Sequence, residues 1–410
     1  MRIEVYDSTL RDGAQTEGIS YSLEDKLLIA RRLDALGVDY IEGGWPNPTN
    51  PKDLAFFQEV GKLGLRAKVT AFGSTRRTTN AAEEDETLAT LLKAGTESIA
   101  LFGKSWTLHA TEILRATLAG NVELIQDSVA HLVAHGREVV YDAEHFFDGY
   151  KANPEFAMAC LKAAFDAGAR WIVLCDTNGG TLTSELIRIV ESVIARIGTP
   201  FGIHAHNDAG VGVANSLAAV ELGAVQVQGT FNGYGERCGN ANLCSIIPNL
   251  ELKMESRTIG RDKLQELMNF SRFLSEIANV HHDHRQPFVG ESAFAHKGGA
   301  HVDGVMKVAH SFEHVEPESV GNERRFLVSD QSGGGTIVSK ISHIIPGIDK
   351  KDPLVGKVLE KVKQQEHGGY QYEAAEGSFE LMVRRALGTY EDLFKLVSFR
   401  TINRKTGEAA

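Results

Sequence analysis

The chain has 410 residues, 42% of them hydrophobic, and a formal net charge of -11. That length allows one large domain plus a smaller one, and the composition is ordinary for a globular protein. The negative balance argues against a nucleic-acid or anionic-membrane surface, while leaving room for a local basic site that holds a small anion.

No apolar run approaches the roughly 20 residues that span a bilayer. Met1-Arg2-Ile3-Glu4-Val5 leads straight into a strand pattern, with no signal or transit segment. Cys160, Cys175, Cys238 and Cys244 lack CxxC spacing and read as reduced thiols, so a cytoplasmic enzyme is expected. Packing is the expected role of Cys238.

Strand-like and helix-like segments alternate eight times over the first two-thirds of the chain. The strand candidates are Ile3–Leu10, Val38–Gly43, Ala67–Phe72, Ser98–Phe102, Glu138–Asp142, Trp171–Asp176, Phe201–His206 and Ala224–Thr230. The clearest helix follows Ser22: Leu23, Leu27, Ala30 and Leu33 share a face, and Ser22 with Asp25 forms a capping box. Gly37, Gly64, Gly95, Gly136, Gly168, Gly198 and Gly223 stand where left-handed helix stops are needed. Eight such units in about 250 residues predict a (β/α)8 TIM barrel, with active-site loops at the strand C-terminal ends. An open doubly wound sheet is the alternative, but no GxGxxG follows a strand.

Polar residues cluster where six of these strands end. Strand one leads into Arg11-Asp12-Gly13-Ala14-Gln15, strand four into Gly103-Lys104, and strand five into Asp142-Ala143-Glu144-His145. Strand six leads into Asp176-Thr177-Asn178, and strand eight is followed by Gly235-Glu236-Arg237-Cys238-Gly239-Asn240. Strand seven carries His204 and His206, which share one face because side chains alternate along a strand. A surface HxH is the plain alternative, but this pair ends a buried-type apolar strand.

After about Glu255 the alternation stops. Asp262–Asn279 reads as a helix, and His281-His282-Asp283-His284-Arg285 as an exposed loop. Small residues surround His296 and His301. Ser329–Gly335 reads as a flexible loop before a helical tail, whose last firm helix includes Phe379–Leu387. The expected organisation is a catalytic barrel over 1–258, a helical and linker subdomain carrying His301 over 259–345, and a helical tail over 346–410. Asn403–Ala410 reads as a frayed polar end.

The chemistry follows from the barrel mouth. Asp12, His204 and His206 supply one oxygen and two nitrogens, and the Asn240 amide oxygen can be a fourth ligand. That set suits Mn, Mg, Zn or Co with positions left open for a substrate. A metal beside an arginine can hold a 2-oxo acid, with Arg11 polarising the ketone and Thr177 donating to the carboxylate.

Several stretches carry a resemblance. Leu10-Arg11-Asp12-Gly13-x-Gln15, with Lys26 eleven residues on, resembles the first signature of the α-isopropylmalate and homocitrate synthase family. Phe201-x-x-His204-x-His206-Asn207-Asp208-x-Gly210-x-Gly212-x-Ala214 resembles its second. Gly235-Glu236-Arg237-x-Gly239-Asn240 and Gly290-Glu291-Ser292-Ala293-Phe294-Ala295-His296 also match. Tyr6–Leu10, Ile41–Pro46, Phe102–Trp106 and Asp142–Tyr150 most resemble the citramalate synthase branch.

The resemblance implies a Claisen condensation of acetyl-CoA with a 2-oxo acid, pyruvate in that branch. It implies Asp12, His204, His206 and Asn240 as metal ligands, and Arg11, Gln15 and Thr177 at the oxo acid. Glu144 would lie in the catalytic shell. His301 would serve acetyl-CoA deprotonation from a segment that reaches the partner's barrel, hence a homodimer. Isopropylmalate or homocitrate synthase activity is the first alternative. A hydroxymethylglutaryl-CoA lyase and a metal-binding paralogue without turnover follow. Two departures stand out. Phe312 occupies a position where many members carry tyrosine, and the chain stops near where a C-terminal effector-binding domain would begin. Insensitivity to isoleucine and leucine is therefore expected.

Overall fold

The computed structural model describes residues 1–47, 49–197, 200–392 and 394–402. The expectations for Gly198 and for Asn403–Ala410 fall outside these residues. The expected barrel is present. Eight parallel strands close in sequence order: β1 (Glu4–Asp7), β2 (Tyr40–Gly44), β3 (Lys68–Ser74), β4 (Ser98–Lys104), β5 (Glu138–Glu144), β6 (Trp171–Asp176), β7 (Gly202–Ala205) and β8 (Gln226–Gly229). β1 is shorter than its pattern. The chain turns at Ser8, whose carbonyl accepts the N–H groups of Arg11 (3.2 Å) and Gly13 (3.0 Å).

Strand register decides which side chains meet inside. Tyr6 pairs with Tyr40, Phe72 with Ala100, Ala100 with Val140, and Val140 with Trp171. With Val173 and Cys175, these residues form the packed interior of the barrel. Alternation then carries Glu42, Phe102, Asp142, His204 and Gln228 inward nearer the strand C-terminal ends, with Glu144 one step beyond Asp142. The site is the top layer of the same stack.

The helix Leu23–Leu36 starts at the expected capping box: Ser22 Oγ accepts Asp25 N–H (3.1 Å), and the Asp25 carboxylate accepts Ser22 N–H (2.8 Å). Its buried stripe is rotated from the expected one. It comprises Lys26, Ile29, Ala30, Leu33 and Leu36, while Leu23 and Leu27 are only half-buried. The cause is Lys26, which turns inward to pair with Asp53. Gly37, Gly64, Gly95, Gly136, Gly168 and Gly223 all have positive φ, as their stop positions require.

The described chain divides into two compact units, Met1–Ala293 with Val315–Glu323, and Phe294–His314 with Arg324–Ala410. In the first, the single helix expected over Asp262–Asn279 is two, Arg261–Leu264 and Leu267–Ile277, parted by a tight turn from Glu266 N–H to the Lys263 carbonyl (3.0 Å). The His281–Arg285 stretch is an irregular loop.

The second unit is mainly helical. Its core gathers Val328, Ile337, Ile341, Val355, Val358, Val362, Phe379 and Val383 from the helices Gly334–Ile341, Pro353–His367 and Glu376–Leu387 and the segment before them. It also holds a parallel pair, β9 (Ala295–His296) with β10 (Arg325–Phe326). Two residues per strand are too few for a periodic pattern, so the sequence gives no sign of it. Cys160, Cys175 and Cys244 are buried free thiols, but Cys238 is exposed, which corrects its expected packing role. It stands on the outer turn of a loop whose next two residues, Gly239 and Asn240, are the ones that tuck inward. Among the described residues, no helix is long and apolar enough to cross a membrane.

Candidate active site

β7 carries His204, His206 follows its last residue, and their Nε2 atoms stand 3.2 Å apart. The turn after β1 brings Asp12 Oδ2 to 3.3 Å from His204 Nε2 and 3.8 Å from His206 Nε2. All three residues are buried. Asn240 arrives from the loop after β8, through a backbone bridge that pairs it with His206. Its Nδ2 lies 3.0 Å from Asp12 Oδ2 and 3.2 Å from His204 Nε2, while its buried Oδ1 has no hydrogen-bond partner. Turning the amide exchanges these atoms, because nitrogen and oxygen are nearly alike in shape. The oxygen then faces the cluster. One carboxylate, two imidazole nitrogens and an amide oxygen left unsatisfied fit a divalent cation.

The neighbours prepare these groups. His204 Nδ1 is 2.8 Å from Gln228 Oε1, an acceptor, so the imidazole proton sits there and the Nε2 lone pair faces the cluster. Gln228 is itself held by donation to Asp142 Oδ1 (3.1 Å). Burial, reinforced by His204, pulls the His206 pKa down to about 3. Burial opposes the charge on Asp12, and the Arg11 guanidinium is the largest of the influences that hold the carboxylate well below its usual range. Arg237 donates to both Asp208 oxygens (2.8 and 3.0 Å) and to the Thr177 carbonyl (2.7 Å). Its Nη2 also lies 3.3 Å from His206 Nδ1.

Arg11 borders the cluster, with Nη1 3.3 Å from Asp12 Oδ2. Its Nε donates to Glu42 Oε2 at 2.6 Å, and its guanidinium lies 3.8 Å from the centre of the Phe72 ring. Glu42 is fully buried and also accepts from Tyr6 Oη (2.7 Å) and Ser8 Oγ. Thr177 Oγ1 accepts the His145 N–H (2.9 Å), which leaves its own proton for another acceptor. Glu144 pairs with Lys104.

These groups open on a cavity of about 190 Å³ lined by Arg11, Asp12, Gln15, Glu144, Thr177, His204 and His206. Trp45, Phe72 and Phe102 form one wall. Trp45 meets the other two edge-on (5.7 and 5.6 Å between centroids), and Phe72 stacks on Phe102 (5.2 Å).

The structure thus brings together Arg11, Asp12, Gln15, Glu144, Thr177, His204, His206 and Asn240. His301 belongs to the second unit. It stands on the helix Gly299–Lys307, with its ring stacked on Phe312 at 4.3 Å. Gly304 leaves room for that ring: a Cβ there would meet Phe312 at 2.5 Å. Glu42, Gln228, Arg237 and the aromatic wall have no assigned role in the sequence reading. For Glu42 and Gln228 the signal is available, since a polar residue at an inward position near a strand end is a site candidate.

The HMGL-like family matches residues 2–274, and the Homocitrate synthase post-HMGL domain-like family matches residues 288–368. The chain belongs to the HMGL-like family. Among its relatives are proteins named (R)-citramalate synthase. That of Geobacter sulfurreducens is 53% identical over 99% of this chain and 77% of its own length. That of Synechocystis sp. is 52% identical over 97% and 74%, and that of Aquifex aeolicus 50% over 98% and 76%. The hydroxymethylglutaryl-CoA lyase of Pseudomonas aeruginosa shares the fold, with a TM-score of 0.57 at 18% identity over 68% of this chain and 94% of that one.

Proposed function

We propose that the protein is a citramalate synthase, condensing acetyl-CoA with pyruvate and water to give (R)-citramalate and CoA. The observation that carries this reading is Arg11 set between the Asp12–His204–His206 cluster and an aromatic wall, in a cavity of about 190 Å³. The names of the close relatives support the same reaction. Asp12, His204, His206 and Asn240 would hold a divalent metal ion, which when bound supplies Lewis acidity at the oxo acid.

The chain's own groups do the rest. Thr177 donates to the substrate carboxylate, because its oxygen is already engaged by the His145 N–H. Arg11, anchored by Glu42, faces the ketone oxygen and stabilises the alkoxide that develops there. The thioester methyl loses a proton to a base, for which His301 is the candidate, and the resulting carbon attacks the ketone carbon. Water then cleaves the thioester, and CoA leaves as the thiol. Glu144, fixed by Lys104, stands at the cavity as the acidic member of the catalytic shell.

Three packed rings leave space for a methyl group more readily than for a branched chain or a second carboxylate, which supports pyruvate over 2-oxoisovalerate and 2-oxoglutarate. In this reading the enzyme works in the cytoplasm as a homodimer, on small molecules alone. The test is CoA release across a panel of 2-oxo acids with metal supplied. Pyruvate should give the highest kcat/KM, and preference for 2-oxoisovalerate or 2-oxoglutarate would overturn the assignment.

A further inference from the structure

Lys26 closes the first signature, yet no step above uses it. Its side chain is only 3% exposed and pairs with Asp53, with Nζ 5.4 Å from the centre of the Phe56 ring. The same carboxylate is spent on the backbone where β2 leaves the barrel. Asp53 Oδ2 accepts the Trp45 N–H at 2.9 Å and Asn50 Nδ2 at 2.7 Å. It lies so close that a Cβ on Gly44 would meet the Asp53 carboxyl at 2.5 Å.

Trp45 needs such a hold. It borders the substrate cavity and also a second cavity of about 280 Å³, lined by Tyr21, Lys26, Asn50, Lys52 and Asp53 among others. Ring packing on Phe72 and Phe102 secures one side only. Without the carboxylate at its N–H, the residue has open space to retreat into.

We propose that the buried Lys26–Asp53 pair is a positioning device for the oxo-acid pocket. It fixes the backbone of Trp45, and with it how closely the aromatic wall confines the substrate's alkyl group opposite Arg11. This deepens the functional reading above and rests on it. The competing account is that the pair merely joins the helices Leu23–Leu36 and Pro51–Val60. The two accounts separate on selectivity. Loss of folded enzyme lowers turnover of every oxo acid equally, whereas a loosened wall changes their ratio.

The experiment compares kcat/KM for pyruvate and 2-oxobutyrate in the full chain, at saturating metal and acetyl-CoA. Asp53→Asn and Lys26→Met should lower the pyruvate preference about fivefold or more, within the discrimination one methylene allows, with bound-metal stoichiometry unchanged. Trp45→Leu should lower the preference likewise. Asp53→Asn combined with Trp45→Leu should add nothing further, because both act through one side chain. If neither charge variant folds, Asp53→Glu keeps the charge beside Lys26 and moves the carboxylate by one methylene relative to the Trp45 N–H. A lowered ratio there supports the proposal, and an unchanged ratio overturns it. Equal losses for both acids in the charge variants overturn it too, while the functional reading stands. Wild-type enzyme that condenses neither acid overturns both.

Discussion

Gly235→Ala should empty the cluster of its fourth ligand. A Cβ at this position would sit 1.9 Å from Asn240 Oδ1, 3.0 Å from its Cγ and 3.1 Å from its backbone nitrogen. The first distance is about 1.5 Å short of ordinary contact. The Asn240 backbone cannot yield, because its N–H donates to the Gly233 carbonyl (3.2 Å) and it is bridged to His206. The side chain must therefore swing away, withdrawing from the cluster the amide atom that now stands 3.0 Å from Asp12 Oδ2 and that, once the amide turns, is the oxygen that would face a charged cation. A hydrogen bond to a charged group contributes about 1.5–3 kcal/mol, and each 1.4 kcal/mol is about tenfold in affinity. Metal affinity should thus fall about 10–100-fold. Titration of the metal-depleted protein with Mn or Zn reads it directly, with circular dichroism reporting the fold. Gly210→Ala is the control for backbone strain. Gly210 also has a positive φ (72°), but a Cβ there meets nothing within 4 Å, so its metal affinity should hold. Wild-type affinity in Gly235→Ala would refute the placement of Asn240 among the ligands.

Arg11→Ala should lower turnover about 100–1000-fold, the usual loss for a donor to a developing oxyanion, with metal stoichiometry unchanged. Steady-state CoA release and metal analysis on one preparation check both. Glu42→Gln removes the charge that anchors Arg11 Nε and should lower kcat/KM about tenfold or more, again without loss of metal. Burial pushes the Asp7 carboxyl up to about 7, so the folded state keeps a proton that the unfolded chain releases near its ordinary pKa of about 4. The stability from that proton is complete below about pH 4 and is lost as pH rises through about 7. Urea unfolding across this range should show Asp7→Asn losing part of the wild-type decline.

The strands and most helix stops were legible because short-range rules govern them: alternation, capping and the φ of glycine. His204 and His206 could be placed together because they stand two residues apart at the end of one extended stretch, although β7 itself stops at Ala205. Asp12 and Asn240 are 228 residues apart in the chain, and barrel closure brings them within 3.0 Å. That meeting follows from the (β/α)8 reading, not from any local pattern. The inward turn of Lys26 was not legible. A lysine on a helix reads as solvated until its partner is known, and Asp53 lies on another helix. The β9–β10 pair and the His301–Phe312 stack were equally hidden, since each depends on chain segments meeting across a dozen or more residues, or on a glycine making room.

The aromatic wall bears on how this pocket can change by mutation. Trp45 is reached only through the end of β2, which also carries Glu42, the anchor of Arg11. Phe72 lies directly under the guanidinium. Alterations at either position disturb the reacting end of the pocket along with its width. Phe102 touches the other two rings and holds the Lys104 ammonium 5.3 Å from its centre. Selection for larger oxo acids, in nature or in a directed-evolution library, is therefore expected to pass through position 102 first. There substrate range can widen one carbon at a time while the arginine keeps its aim.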